Sequence, residues 1–220
     1  MGFFNKVFNK NEKIKLSKIV KDENEEKNNF NSINNLFSEK LLTENEDFNK
    51  YHQKMENIPH DLKKEAKADS FFKEGITAHE CGNLIKAAKA YQACVEYYPY
   101  AYGAYINLGR VYEEQGKTQM ALEIYQKGID LAPFDHDGYG KKGHLLLMID
   151  KHQEAQYNLR KAISLQPDNL EYITNYACAH ICLKKYDEAQ SALELVLKIN
   201  PNYPAAKLNR DSLIKAGIWK

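Results

Sequence analysis

The chain has 220 residues, with 31 Lys and Arg against 30 Asp and Glu, and 43% of its residues are apolar. A net charge of +1 excludes the broad basic footprint of a general nucleic-acid binder. The apolar share argues against wholesale disorder, and no run approaches the roughly 18 consecutive apolar residues of a membrane span.

Residues 1–10 lack the apolar core and small-residue cleavage site of a secretory signal. Four cysteines are too few for a disulfide scaffold. A reduced, cytoplasmic chain is therefore the expectation.

The first third differs from the rest. Residues 1–67 hold twelve Asn, and alanine first appears at Ala66. Residues 1–20 carry five Lys and one Glu, whereas residues 21–67 carry eight Lys and eleven acids. A basic tip thus precedes an acidic connector. Phe3, Phe4, Val7 and Phe8 sit at helical spacing beside Lys6, Lys10 and Lys13. Such a helix suits peripheral contact of residues 1–20 with an anionic membrane surface, and equally suits docking on the body or on a partner. Lys6 stands where a myristoylation signal needs Ser or Thr, which discounts that lipid anchor.

Phe30, Ile33, Leu36, Phe37, Leu41 and Leu42 form a second amphipathic stretch. Thr43 and Glu46 then form a capping-box pattern ahead of Phe48, Tyr51 and Met55, and Pro59 ends that segment. Asp61 is placed to cap a long helix leading into the body. The division expected is an extension over 1–60 with one or two amphipathic helices, and a body over 61–217.

The body repeats with a period of 34. Gly75, Gly109, Gly143 and Ala177 form one series; Ala87, Ala121, Ala155 and Ala189 a second; Tyr91, Tyr125, Leu159 and Leu193 a third; Pro99, Pro133, Pro167 and Pro201 a fourth. Four series in one register mark an array. Within residues 102–135, Tyr105, Leu108 and Tyr112 make one helical stripe, and Ala121, Leu122, Tyr125 and Ile129 make another. Gly116 is suited to stop the first helix in a left-handed turn, Thr118 to cap the second, and Pro133 to block continuation.

Each unit is a helical hairpin that cannot cover its own apolar faces, so neighbours stack. The units expected are 68–101, 102–135, 136–169 and 170–203. Residues 204–217 follow as a closing helix, with Pro204 in its first turn and Gly217 at its stop.

This pattern resembles the tetratricopeptide repeat: Gly or Ala at the eighth place, Ala at the twentieth, an aromatic or Leu at the twenty-fourth and Pro at the thirty-second. Tyr186-Asp187-Glu188-Ala189 also matches the family's usual opening of the second helix. The resemblance covers about 68–216. It implies an all-α, right-handed solenoid of four helix-turn-helix repeats with a C-terminal capping helix. Glu74 and Lys142 depart from the family's usual Leu, and His180 stands where an aromatic is common, read here as a core-facing imidazole with one hydrogen bond.

The resemblance also implies a non-enzymatic protein–protein interaction module that takes an extended or helical segment of a partner in a concave groove. The residues assigned to that groove are Asn107, Lys141, Asn175 and Asn209, which recur at intervals of 34, together with Ile106, Arg110, His144 and Leu147. An Asn amide carries both a donor and an acceptor. The column can therefore pair the backbone of an extended ligand, or equally bond to the neighbouring helix. Lys141, reinforced by Arg110 and His144, favours an acidic residue or carboxylate in the ligand. The N-terminal segments either cover the first repeat or lie in the groove and block it.

Some tetratricopeptide proteins clamp the acidic C-terminal tail of heat-shock chaperones with Lys, Asn and Arg. Here Phe72 and Ile76, or in a shifted register Ile106 and Arg110, occupy the first required places, and Glu171 replaces a Lys, which argues against that ligand. Alternatives to the interaction module are a chaperone for secreted or membrane-bound clients and a membrane-recruited assembly factor.

Chemistry is not indicated. The patterns GxxxxGK[ST], GxSxG and HExxH are absent. No catalytic residue and no cofactor are assigned. His144, Cys178 and Cys182 could converge as soft metal ligands, but no fourth ligand is evident, and no metal is expected.

Overall fold

A computed structural model describes residues 44–58 and 61–219. The expected helices over 3–8 and 30–42, the cap at Thr43, the stop at Pro59 and the membrane contact of residues 1–20 lie outside the described residues.

Among the described residues there are ten helices and no strand. They are α1 (Glu44–Glu56), α2 (Leu62–Glu80), α3 (Leu84–Tyr97), α4 (Tyr102–Glu114), α5 (Thr118–Leu131), α6 (His136–Met148), α7 (His152–Leu165), α8 (Leu170–Cys182), α9 (Tyr186–Ile199) and α10 (Pro204–Lys215). The chain falls into two compact units, one running to Phe134 and the other starting at Asp135. In unit 1, α2 packs on α3, α3 on α4, and α4 on α5. In unit 2, α6 packs on α7, α7 on α8, α8 on α9 and α9 on α10, with α8 also touching α6 and α10.

The 34-residue spacing acts through close packing inside each hairpin. A Cβ at Gly109 would stand 2.6 Å from Cδ1 and Cε1 of Tyr125, and one at Gly75 would stand 2.6 Å from Cε1 of Tyr91. Both tyrosines are fully buried, and burying a side chain of this size contributes roughly 2 kcal/mol. The missing side chain on the first helix is the space that the ring on the second helix fills. In unit 2 the same place pairs Gly143 with Leu159, where the nearest approach would be 2.7 Å. Ala177 and Leu193, the fourth pair, are both fully buried.

The hairpin turns share one geometry. Gly82 and Gly116 have φ of 71° and 72°, and Asp150 and Lys184, each 34 residues further on, have φ of 61° and 60°. All four sit in the left-handed region, where glycine is free and a side chain costs about 1–2 kcal/mol. The backbone closes each turn in the same way, as in Gly116 N to Glu113 O at 2.9 Å and Lys117 N to Tyr112 O at 2.8 Å.

This turn displaces Thr118 from the capping role. Thr118 is the first helical residue of α5, and the cap is Lys117, which makes no side-chain bond to the helix. Side-chain caps occur instead at Asp61, which accepts from the backbone of Lys63 and Lys64, and at Asn83, Asp135 and Asn169. Glu74, one of the departures from the repeat pattern, is exposed and pairs with Lys86 at 3.2 Å.

α10 begins with Pro204 in its first turn and ends before Gly217, whose φ is 68°. Its Leu213 is buried while Leu208 and Ile214 are exposed. None of the helices among the described residues is long and apolar enough to cross a membrane.

α1 is seated at the end of α5. The Tyr51 hydroxyl donates to the Leu131 carbonyl at 2.7 Å. The Phe134 ring lies 5.0 Å from Phe48 and 5.6 Å from Tyr51. Leu131 closes α5, so its carbonyl belongs to the last turn, which lacks intrahelical donors. The tyrosine supplies one.

Candidate functional site

The first helices of the hairpins carry the residues assigned to the groove, and the two units are described separately. In unit 2, Lys141, Asn175 and Asn209 occupy equivalent places on α6, α8 and α10. Their circumstances differ. Asn209 donates to Cys178 Sγ at 3.1 Å, so at this position the bond to a neighbouring helix is made. Asn175 is half-buried and, among the described residues, has no side-chain hydrogen bond. Lys141 is likewise half-buried and free of an ion pair among the described residues. His144 and Leu147 are half-buried on the same helix as Lys141, and Met148 beyond them is exposed.

The start of α6 is shaped by Tyr172. Gly140 has no side chain, and a Cβ there would stand 2.6 Å from Cζ of Tyr172. The Tyr172 hydroxyl is hydrogen-bonded to His136 Nδ1 at 2.9 Å. Burial pushes this phenol well above the ordinary tyrosine range, with Asp137, Glu171 and Asp135 adding to the rise. The tyrosine is therefore a neutral packing and hydrogen-bonding group.

Cys178 is not a free metal ligand. Burial pushes its thiol up, while the Asn209 hydrogen bond pulls it partly back. Among the described residues no three His, Cys, Asp or Glu side chains come together as a metal site, and His144, Cys178 and Cys182 do not form one.

In unit 1, Asn107 is half-buried on α4 with no side-chain hydrogen bond among the described residues. Ile106 differs from its expected role as an exposed pocket wall. It is 5% exposed, and a Cβ on Gly128 would collide with its end. The glycine on α5 makes room for this side chain, so Ile106 is core.

Arg110 has partners of its own. Its Nη2 lies 2.9 Å from His79 Nδ1, and its Nε lies 3.7 Å from Glu114 Oε1. His79 Nε2 in turn lies 2.9 Å from both Glu114 oxygens. An arginine can only donate, so Nδ1 accepts and Nε2 carries the proton that goes to Glu114. This closed set joins α2 to α4.

His180 is buried at 2% exposure, as a core imidazole should be, but neither ring nitrogen has a hydrogen-bond partner. Its ring lies against Tyr176, 4.3 Å between centroids. Burial holds its pKa below the ordinary histidine value. Glu188 opposes that shift and Lys185 adds to it.

The architecture is that of a helical-repeat interaction protein: hairpins of one design, with first helices that present uncommitted polar side chains. Tetratricopeptide-repeat family models match residues 102–135 and 146–209, and those segments are tetratricopeptide repeats. A search of curated proteins finds no match.

Solved structures share the fold. The crystal structure of the MamA protein is 22% identical with a TM-score of 0.63, covering 69% of this chain and 84% of that one. PilF of Pseudomonas aeruginosa is 22% identical with a TM-score of 0.63, covering 70% of each chain. The first TPR of Spaghetti (RPAP3), bound to the HSP90 peptide SRMEEVD, is 23% identical with a TM-score of 0.51, covering 52% of this chain and 91% of that one. The family is generally a non-enzymatic scaffold for protein–protein interaction, and the shared fold suggests an interaction module.

Proposed function

We propose that this chain works without catalysis, as an adaptor that takes an extended or helical segment of a partner protein on the first-helix face of unit 2. A reducing, cytoplasmic setting is part of the proposal, and the four free cysteines are consistent with it.

The observation that carries the reading is the contrast along the Asn column. Asn209 is committed to Cys178, whereas Asn175 and Lys141 have no partner among the described residues. A half-buried amide without a partner is costly unless water or a ligand pairs it. An extended ligand brings a backbone donor and acceptor at every residue. Lys141 adds an unpaired positive charge, which favours an acidic side chain or a carboxylate nearby. His144 stands one turn beyond and reinforces that preference. Asn107 offers the same uncommitted amide within unit 1.

Affinity capture from the native lysate tests this reading, with the parent chain and Lys141→Ala/Asn175→Ala run in parallel. The double variant should lose about 1–3 kcal/mol of affinity for the captured partner, at roughly 0.5–1.5 kcal/mol per hydrogen bond, with an unchanged helical signal. Equal capture by both chains would remove Lys141 and Asn175 from the binding surface.

A further inference from the structure

The set that joins α2 to α4 in unit 1 admits one protonation state of its histidine. His79 Nδ1 lies 2.9 Å from Arg110 Nη2, and His79 Nε2 lies 2.9 Å from both oxygens of Glu114. A guanidinium has only donors, and an ionised carboxylate has only acceptors. Nδ1 therefore carries no proton, Nε2 carries one, and the imidazole in this arrangement is neutral.

A second proton on the ring has one place to go, which is Nδ1, facing the arginine. Two donors would then meet across 2.9 Å, and one of them has to withdraw. His79 is the fixed partner, since its side chain is 7% exposed and Glu114 holds its other nitrogen. Arg110 is free to move: its side chain is 47% exposed. Its contact to Glu114 is 3.7 Å between exposed groups, a pairing worth little. The bond from His79 to Glu114 meanwhile becomes charge-assisted on both sides and strengthens.

The neighbours come from three helices. From α3, Tyr91 is neutral, with burial pushing its phenol up to about 12, Arg110 pulling it down, and Glu80 and Cys94 raising it. Cys94 is neutral as well, its thiol pushed up to about 12 by burial with Asp69 adding to the rise. Lys86 of α3 is paired with Glu74. The acidic neighbours are Glu80, exposed on α2 itself, and Glu113 on α4, which accepts from the Tyr125 hydroxyl at 2.7 Å. Of these side-chain types only histidine ordinarily changes charge between pH 5 and 8.

We propose that His79 is a proton-operated latch on Arg110, closed while the imidazole is neutral and open once both ring nitrogens are protonated. Counted with Glu114, the set passes from no net charge to a single positive charge, which the arginine carries outward. The first-helix face of unit 1 thereby gains a free guanidinium, able to take a carboxylate, as the pH falls. The latch uses none of the residues of the unit 2 face and stands or falls separately from it.

Nuclear magnetic resonance of the full chain labelled with nitrogen-15 tests this. The His79 ring should show the Nε2–H tautomer at pH 8 and protons on both nitrogens at pH 5. Rotation about the Nε–Cζ bond of Arg110 should be about threefold faster or more at pH 5, as its partner at Nη2 is lost. Arg210, bonded to Asp211 on its own helix, is the reference and should keep one rate. In His79→Gln the Arg110 rate should no longer depend on pH. Glu114→Gln removes the carboxylate that favours the charged ring, and should move the release of Arg110 to lower pH by about 0.5 unit or more. Glu114 is exposed, so this variant keeps the test valid should the histidine variant unfold.

A proton on Nδ1 at pH 8, or equal Arg110 rates at the two pH values, would overturn the proposal. So would an unaltered pH response of Arg110 in His79→Gln or in Glu114→Gln.

Discussion

Unit 1 and unit 2 follow the same 34-residue grammar but solve it with different side chains. In unit 1 both hairpins put a glycine under a buried tyrosine, and both turns have glycine at positive φ. In unit 2 the filler is leucine, and the turns place Asp150 and Lys184 in the left-handed region. Unit 2 also buries His180 with both ring nitrogens unpaired. A periodic sequence therefore fixes the fold while leaving local strain unequal. The strain lies in unit 2, which also holds the uncommitted Lys141 and Asn175.

The largest expected effect is in unit 1. Gly109→Leu drives a side chain into the Tyr125 ring and should cost about 1–3 kcal/mol or more from overpacking. The midpoint of chemical denaturation reads it. An unchanged midpoint would show that the tight glycine–tyrosine approach is not what holds the hairpin.

The turns give the next effect, with opposite signs in the two units. Gly116→Ala should destabilise by about 1–2 kcal/mol, because it introduces a side chain at positive φ. Lys184→Gly should stabilise by about 0.5–1 kcal/mol, since relief of the left-handed strain exceeds the added backbone entropy of glycine. Thermal or chemical midpoints of the two variants should move in opposite directions. Movement in the same direction would erase the distinction drawn between the turns.

A smaller effect follows from pH. The His180 pKa is lower in the folded chain than its ordinary value of 6.5. The unfolded chain therefore binds more protons between the two values, and stability rises with pH across that window. The contribution is fully present above pH 6.5 and is lost progressively as pH falls toward the folded-state value. His180→Phe keeps a ring against Tyr176 and removes the titration, so it should flatten the slope of stability below pH 6.5. An equally steep slope in this variant would place the acid sensitivity elsewhere.

Much of this was legible in the sequence. Spacing alone marks Gly109 with Tyr125 and Gly75 with Tyr91, because close packing requires a small residue opposite a large one. Asp61 as the cap of α2 is legible because its side chain precedes an amphipathic run. Asp150 and Lys184 are not, since neither residue type announces positive φ. Only their register with Gly82 and Gly116 does so. Ile106 reads as a surface residue until Gly128 on the partner helix is matched to it.

Arg110 reads as a free cation, although His79 and Glu114 stand 31 residues before it and four after it. The lack of a hydrogen-bond partner at His180 and the seating of α1 on Phe134 depend on contacts distant in sequence, which no local pattern encodes.

The first-helix face of unit 2 is proposed as a binding surface with a preference for negative charge. The most direct measurement is the dissociation constant of the captured partner for the parent and for Lys141→Glu, taken across a series of salt concentrations. Weaker binding by the variant is expected, with the gap narrowing as salt rises, because screening reduces the interaction of exposed charges. Equal dissociation constants for parent and variant at every salt concentration would contradict it.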